Sequence, residues 1–360
     1  MKLIMSINTE LTGYLNAAIR RQVFPGCALA WVSNGESSII TAGSRTYDDG
    51  DVQISENTLY DCASVTKAIP VSNLALWLID RGKLSTDDRL IDFVPEYAGS
   101  FRDAVRIQHV LTHTLDFDFR LSGCKDLPPE ELLHTILSVK MKCSPGEKFC
   151  YSNASSILLG LAVERASGKP LHTLAQEVFF DPLGMVDTTF FIDDDKRSRC
   201  VPTEIDPWRG RAVCGEVHDE SAYTLQKIMT PGSAGLFSTA GDLLKYIKML
   251  IDGWEPFFSE KTAESMQTNQ IPHISGACTG LGWELNQEYM GKKRSPSTFG
   301  KTGFTGCAVV VDRPRRSGFA LLSNYTWPKR KPNRDMINEV RAGAADILFG
   351  YHYSQNRNLL

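Results

Sequence analysis

Apolar residues recur at helical spacing through residues 8–22, where Leu11, Leu15 and Ile19 fall on one side. Two β-rich runs follow in "CALAWVSNGESSIITAG", and the "SNGE" between them predicts a hairpin. The next apolar run opens at "SVTK" as a helix and stops at "DRGKLS", with Gly82 placed to cap it. From about 84 to 250 helical periods alternate with Pro- and Gly-rich loops, in "IQHVLTH", "PEELLHTILSVK", "SSILLGLAVERASG", "LHTLAQEVF" and "AGDLLKYIKMLIDG". After about 278 the pattern shortens to strand-like runs, "GLGWELN", "CAVVVDRP" and "GFALLSNYTW". A last helix runs through "NRDMINEVRAGAADILFG". Strands at both ends with helices between predict an α/β (α+β) fold in a single domain over 1–360. One antiparallel sheet, flanked by helices, is expected from 1–83 plus 275–360, with an inserted mostly helical subdomain at 84–274. A cleft between two such parts is where a small ligand usually binds.

Composition narrows the partners. Apolar residues make up 42%, charged ones 22%, and the formal net charge is −3, so no nucleic-acid partner is expected. The basic clusters "GKKRS", "DRPRRSG" and "WPKRKPNR" read as solvated loops. No run of about 18 apolar residues predicts a membrane span. The opening "MKLIMSINTELTGYL" loses its apolar run after five residues and has no small-x-small cleavage site, so no export signal is expected. Nine cysteines, without CxxC pairs or metal-ligand spacing, read as reduced thiols. The expected location is therefore cytoplasmic.

Three stretches carry candidate chemistry. In "YDCASVTKAI", Lys67 stands three residues after Ser64, and residues i and i+3 share a helix face. Burial near a helix N-terminus penalises the ammonium form through desolvation and the dipole. A neutral lysine can then take the serine proton and make the hydroxyl a nucleophile. The competing reading is a capping serine beside a lysine that reaches solvent, and "SGCK" at 122–125 repeats the same spacing. In "PGEKFCYSNASSILLG", Tyr151 and Asn153 are two apart before a helix, so an irregular loop could aim both at one cleft. A tyrosine beside two lysines has a depressed pKa and can shuttle protons; the asparagine amide can orient a substrate. "YLN" at 14–16 has the same form. In "FGKTGFTGCAVVVD", Lys301 and Thr302 open a strand, and Gly303 leaves room for a substrate to approach. A lysine with a hydroxyl would hold a carboxylate or raise the positive potential around Tyr151. This is no phosphate loop, because Ser295 stands where the first glycine is needed and the following run is β-like.

The ordered triple, Ser-x-x-Lys, Tyr-Ser-Asn and Lys-Thr-Gly, resembles the serine β-lactamase and penicillin-binding-protein-like superfamily. It is most similar to the class C β-lactamase-related branch of esterases, D-amino-acid peptidases and acyltransferases. "VLTHT", "PLGMVDTTF" and "GSAGLFSTAGDLLKY" are also phrases of that branch, in its order, so the resemblance covers roughly 10–350. It implies a β-lactamase/transpeptidase-like fold and a serine hydrolase that cleaves a small ester or amide through an acyl-serine intermediate, with no cofactor or metal. Ser64 would be the nucleophile, Lys67 its proton acceptor and Tyr151 the base that activates water or returns the proton. Asn153 would position the substrate, and Lys301 and Thr302 would support Tyr151 and any substrate carboxylate. The backbone N–H groups of Ser64 and Phe304 would form the oxyanion hole. A β-lactamase or DD-carboxypeptidase, an acyltransferase to a non-water acceptor, and an inactive binding scaffold are the other members this pattern admits. The complete set of five side chains argues against the last.

The chain departs from the branch at Leu115 and Asp116, where Ser-Gly is usual, and at Phe304, whose ring would narrow access. Lys301, in place of a common histidine, leans toward substrates with a carboxylate, whereas a cytoplasmic location leans away from cell-wall peptides. No G-x-S-x-G elbow supports a Ser-His-Asp hydrolase. His218 in "GEVHDESAY" is expected on a loop lining the cleft, and its His-Asp-Glu run could hold a metal. "ELLH" at 131–134 lacks a partner Glu-x-x-His, so His134 reads as an ordinary residue.

Overall fold

The computed structural model describes residues 2–252 and 254–357. Its strands are β1 (Gly26–Ser33), β2 (Glu36–Gly43), β3 (Tyr60–Asp61), β4 (Pro202–Asp206), β5 (Arg211–Cys214), β6 (Phe237–Ser238), β7 (Glu284–Leu285), β8 (Phe299–Thr302), β9 (Ala308–Asp312) and β10 (Ser317–Ser323). Six of them form one antiparallel sheet in the order β2-β1-β10-β9-β8-β7. The two ends of the chain therefore meet at its centre, where Ala30 lies opposite Ala320. The β1–β2 hairpin turns through Asn34 and Gly35, both at positive φ, as a two-residue turn with the twist of the strands requires.

Strand alternation sends each strand's side chains to two different cores. Cys27, Leu29, Trp31, Phe319 and Leu321 pack with the N-terminal helix Lys2–Arg20 and the C-terminal helix Asp335–Arg357. Ala28, Ala30, Val32, Ala320 and Leu322 face the helix Ala240–Asp252 and the large core shared with the helices of the chain's middle. With both faces covered, β1, β9 and β10 are buried along their whole length. No helix among the described residues is long and apolar enough to cross a membrane.

Two local expectations change. The helix expected from "SVTK" onward is a 3₁₀ turn at Ala63–Lys67 and a wide turn at Ala68–Ser72, before the α-helix Asn73–Asp80. Ile69 sits at φ −110°, ψ 109°, because the residue before a proline is pushed out of the helical region. Gly82 does close the α-helix: its N–H and that of Lys83 bond back to Ile79 and Leu78. Only Glu284–Leu285 of "GLGWELN" pairs as a strand, since Gly282 turns at φ 76° against Ser72. The short β3–β6 ladder and the β4–β5 hairpin were too brief to show as alternation.

Candidate active site

The 3₁₀ turn decides how Ser64 meets Lys67. At three residues per turn, side chains i and i+3 eclipse, closer than on an α-helix. Lys67 Nζ donates to Ser64 Oγ at 2.8 Å and to the Ser233 carbonyl at 2.6 Å. The turn itself is held by Asp61, a residue the sequence reading passed over. Its buried carboxylate accepts the Ala63 N–H through Oδ1 and the His218 N–H through Oδ2, both at 2.7 Å. Ala63, at φ 46°, occupies the left-handed region that alanine seldom adopts, and these bonds keep it there.

Lys67 is 1% exposed. Burial lowers its pKa, Tyr151 opposes that, and Lys301 repels the charge further, leaving the amine below its ordinary value. The expected dipole contribution is replaced by this second ammonium, because the single turn at Ala63–Lys67 aligns too few peptide units.

Tyr151 comes from the loop before the helix Asn153–Ser167, whose first turn is capped by Ser152 Oγ accepting the Ala154 N–H. Its ring lies 4.4 Å from Lys301 Nζ, 5.2 Å from Lys67 Nζ and 4.8 Å from the buried His113 ring. The residue is 42% exposed at the cleft, but desolvation of its inner end works to raise the phenol pKa; Lys301 and Lys67 outweigh it and hold the phenol below its ordinary value. Ser64 interacts with the same phenol. Asn153, first residue of its helix, donates from Nδ2 to Asp219 Oδ2 at 2.9 Å. Asp219 in turn caps the helix Glu220–Leu225 through Oδ1.

Lys301 is committed inside the protein. Its Nζ lies 2.8 Å from Glu284 Oε1, and Glu284 Oε2 accepts the Tyr289 hydroxyl at 2.9 Å. Burial would lower the Lys301 pKa, but Glu284 and Tyr151 raise it above its ordinary value. The ammonium therefore serves Tyr151 first, and a substrate carboxylate would have to compete with Glu284.

Gly303 has a different purpose from the one expected. A Cβ there would lie 2.3 Å from the Cys62 carbonyl, so the glycine admits the Ser64 turn rather than a substrate. This contact brings the end of β8 against the turn. Among the described residues, no hydrogen bond takes up the backbone N–H of Ser64 or of Phe304. The Phe304 ring stacks edge-on against His218, centroids 4.5 Å apart. His218 thus lies under Phe304, fully buried, instead of lining the cleft. Its Nε2 meets Glu204 Oε2 at 2.9 Å, while Glu220 pairs with Arg330 and Asp219 with Asn153. The His-Asp-Glu run thus points to three separate partners, not to one metal. Leu115 and Asp116 are both buried, and Asp116 ties its loop to Lys148 just ahead of Tyr151.

Ser64, Tyr151, Asn153, Thr302 and Phe304 line one cleft of about 530 Å³. Asp219, Glu284 and Arg334 line it too; the sequence reading took Asp219 only as part of a possible metal run and Arg334 as part of a solvated loop, and passed over Glu284. Asp219 had a visible sign, the Asp-x-x-Ala start of a capped helix; Glu284 and Arg334 had none.

A strained turn presenting a serine on a buried lysine, with a sheet edge beside it, defines a serine hydrolase of the β-lactamase/transpeptidase fold. The chain belongs to the β-lactamase family, whose sequence model matches residues 12–342. A putative D-alanyl-D-alanine carboxypeptidase of Escherichia coli K12 is 28% identical over 323 residues, 78% of this chain and 74% of that protein. EstCE1, a hydrolase with promiscuous acyltransferase activity, superposes with a TM-score of 0.78 at 19% identity, covering 97% of this chain and 100% of its own. A class C β-lactamase superposes with a TM-score of 0.75 at 19% identity, covering 94% and 95%.

Proposed function

We propose that this hydrolase cleaves a small ester or amide by acylating Ser64. The observation that carries the reading is the 2.8 Å contact between Lys67 Nζ and Ser64 Oγ beneath a phenol flanked by two ammonium groups. Ser64 Oγ attacks the carbonyl carbon and gives its proton to the Lys67–Tyr151 pair. The developing oxyanion takes the Ser64 and Phe304 N–H groups. Tyr151 returns the proton to the leaving oxygen or nitrogen as that bond breaks. Water then attacks the acyl-serine, loses a proton to the same pair, and releases the acid and the free serine. Asn153 and Thr302 line the path and orient the acyl group.

The reading is tested by intact mass after treatment with a fluorophosphonate, alongside turnover of p-nitrophenyl esters, D-amino-acid amides and nitrocefin. The names of the E. coli relative and of EstCE1 justify the peptide and ester arms. One adduct on the wild type, none on Ser64→Ala, and turnover of one substrate class by the wild type alone are expected. An adduct that persists in Ser64→Ala defeats the assignment.

Acyl transfer is favoured as a second reading by one feature. The cleft runs on into a cavity of about 570 Å³ that shares Gly276, Ala277, Cys278 and Tyr289 with it, room for an acceptor other than water. Ester turnover that depends on an added alcohol or amine, with negligible hydrolysis, would select this reading.

A further inference from the structure

Away from the Ser64 cleft, a cavity of about 480 Å³ opens between residues 125–129, the turn joining β4 to β5, and the helix Glu220–Leu225. Its wall is cationic and aromatic, with Lys125, Arg209, Arg211 and Lys227 around Trp208 and Tyr223. The two rings meet edge to face, centroids 6.1 Å apart. The Arg209 guanidinium lies 4.1 Å from the Tyr223 ring and 5.4 Å from Trp208. Lys125 and Lys227 hold their ammonium groups over the same rings, at 5.8 and 5.6 Å.

The nearby carboxylates are already engaged. Asp126 accepts the Trp208 indole N–H at 2.8 Å, and Glu216 grips both Arg211 nitrogens at 2.6 and 2.7 Å. Asp206, itself buried, forms an ion pair with Arg209 at 3.5 Å from Nε, which balances the charge without a hydrogen bond of good geometry. Lys125 and Lys227 have no ion pair among the described residues. The Arg209 side chain is only 5% exposed, and its Nε and Nη1 have no hydrogen-bond acceptor among the described residues. Only Nη2 is satisfied, by the carbonyls of Val217 and His218.

Although Asp206 balances its charge, a buried guanidinium with two unmet donors is costly, and a further acceptor offsets that cost. Two unpaired ammonium groups beside it favour a doubly charged group over a single carboxylate. Flat rings with cations over them favour a ligand that is also planar, since a ring can stack where the ammonium groups now sit. We propose that this cavity binds a small organic phosphate carrying a planar ring, with the phosphate between Lys125, Lys227 and Arg209 and the ring against Trp208, since Arg209 already covers Tyr223.

The test is calorimetric titration of the whole protein at low ionic strength with AMP, adenosine and inorganic phosphate, repeated on a Lys125→Ala/Lys227→Ala variant. AMP should bind with one saturable site and more tightly than either fragment. The double variant, with an unchanged circular dichroism spectrum, should lose about tenfold or more in AMP affinity. Trp208→Phe keeps a second reading available if the double variant fails to fold, and should also weaken AMP. No saturable heat at millimolar AMP, adenosine binding as tightly as AMP, phosphate binding as tightly as AMP, or full affinity in the variants would overturn the proposal.

Discussion

Tyr151 sits in a contest between burial and charge. Burial disfavours its phenolate, and the ammonium groups of Lys301 and Lys67 favour it strongly enough to win. The same Lys301 also lowers the Lys67 pKa. Removing this one charge therefore moves both members of the pair in the same direction, upward. Turnover needs the pair to have lost a proton, so kcat/KM should rise with pH, with an apparent pKa that belongs to the pair. Lys301→Met should shift that acid limb to higher pH, read from a pH–rate profile on a neutral ester. A limb that stays in place would show that Lys301 does not act on the Lys67–Tyr151 pair. Tyr151→Phe removes the proton carrier itself and should lower kcat by roughly 10²–10⁴-fold.

Between elements, the site depends on contacts that only folding brings together. The Ser64–Lys67 pair was legible because its spacing is local, and so was the Tyr151–Asn153 stretch, which ends at a helix start. Asp61 was not legible, since its meaning comes from His218, 157 residues away. Glu284 looked like any strand carboxylate until β7 paired with β8 and set it against Lys301. Gly303 was noticed for the wrong partner. Its missing side chain lets β8 close on the Ser64 turn, so Gly303→Ala must push the two apart. A thermal melt should show a loss of about 1–3 kcal/mol, and kcat should fall as the two N–H groups separate. A variant as stable and active as the wild type would mean that the turn and the strand can move apart freely. The loop under Phe304 has its own dependence on pH. Burial would raise the Glu204 carboxyl, but His218 and Arg330 outweigh it and bring it down to about 2 from an ordinary 4.5. Its contribution is complete above about pH 4.5 and is lost as pH falls through about 2. Glu204→Gln should flatten the fall in urea midpoint across that window.

Across the whole molecule, the C-terminal helix is tied down by two arginine contacts that differ in kind. Arg21, just past the end of the N-terminal helix, grips Glu339 on the C-terminal helix at 2.7 and 2.8 Å, with both side chains half exposed. Arg341, two residues further along and on the opposite side of the same helix, is fully buried. Its Nη2 donates to the carbonyls of Gly303 and Cys307, both at 2.8 Å, on either side of Phe304. Burial holds this guanidinium down to about 10, so its charge carries a desolvation cost that a neutral side chain would relieve. Against that relief stands the loss of two bonds from a charged donor, although the Cys307 and Gly303 carbonyls keep the Gly303 and Gly306 N–H groups. The lost bonds outweigh the relief, and Arg341→Met should lower stability by about 1–2 kcal/mol and kcat/KM with it, as the Phe304 turn loosens. Arg21→Ala breaks an exposed pair that water and salt already weaken, and should leave both stability and activity essentially unchanged. Chemical denaturation and ester turnover on the two variants separate these cases. If Arg21→Ala proved the more damaging, the C-terminal helix would act by closing the sheet's outer face. If Arg341→Met does the harm, that helix reaches through the sheet to hold the turn beside the serine.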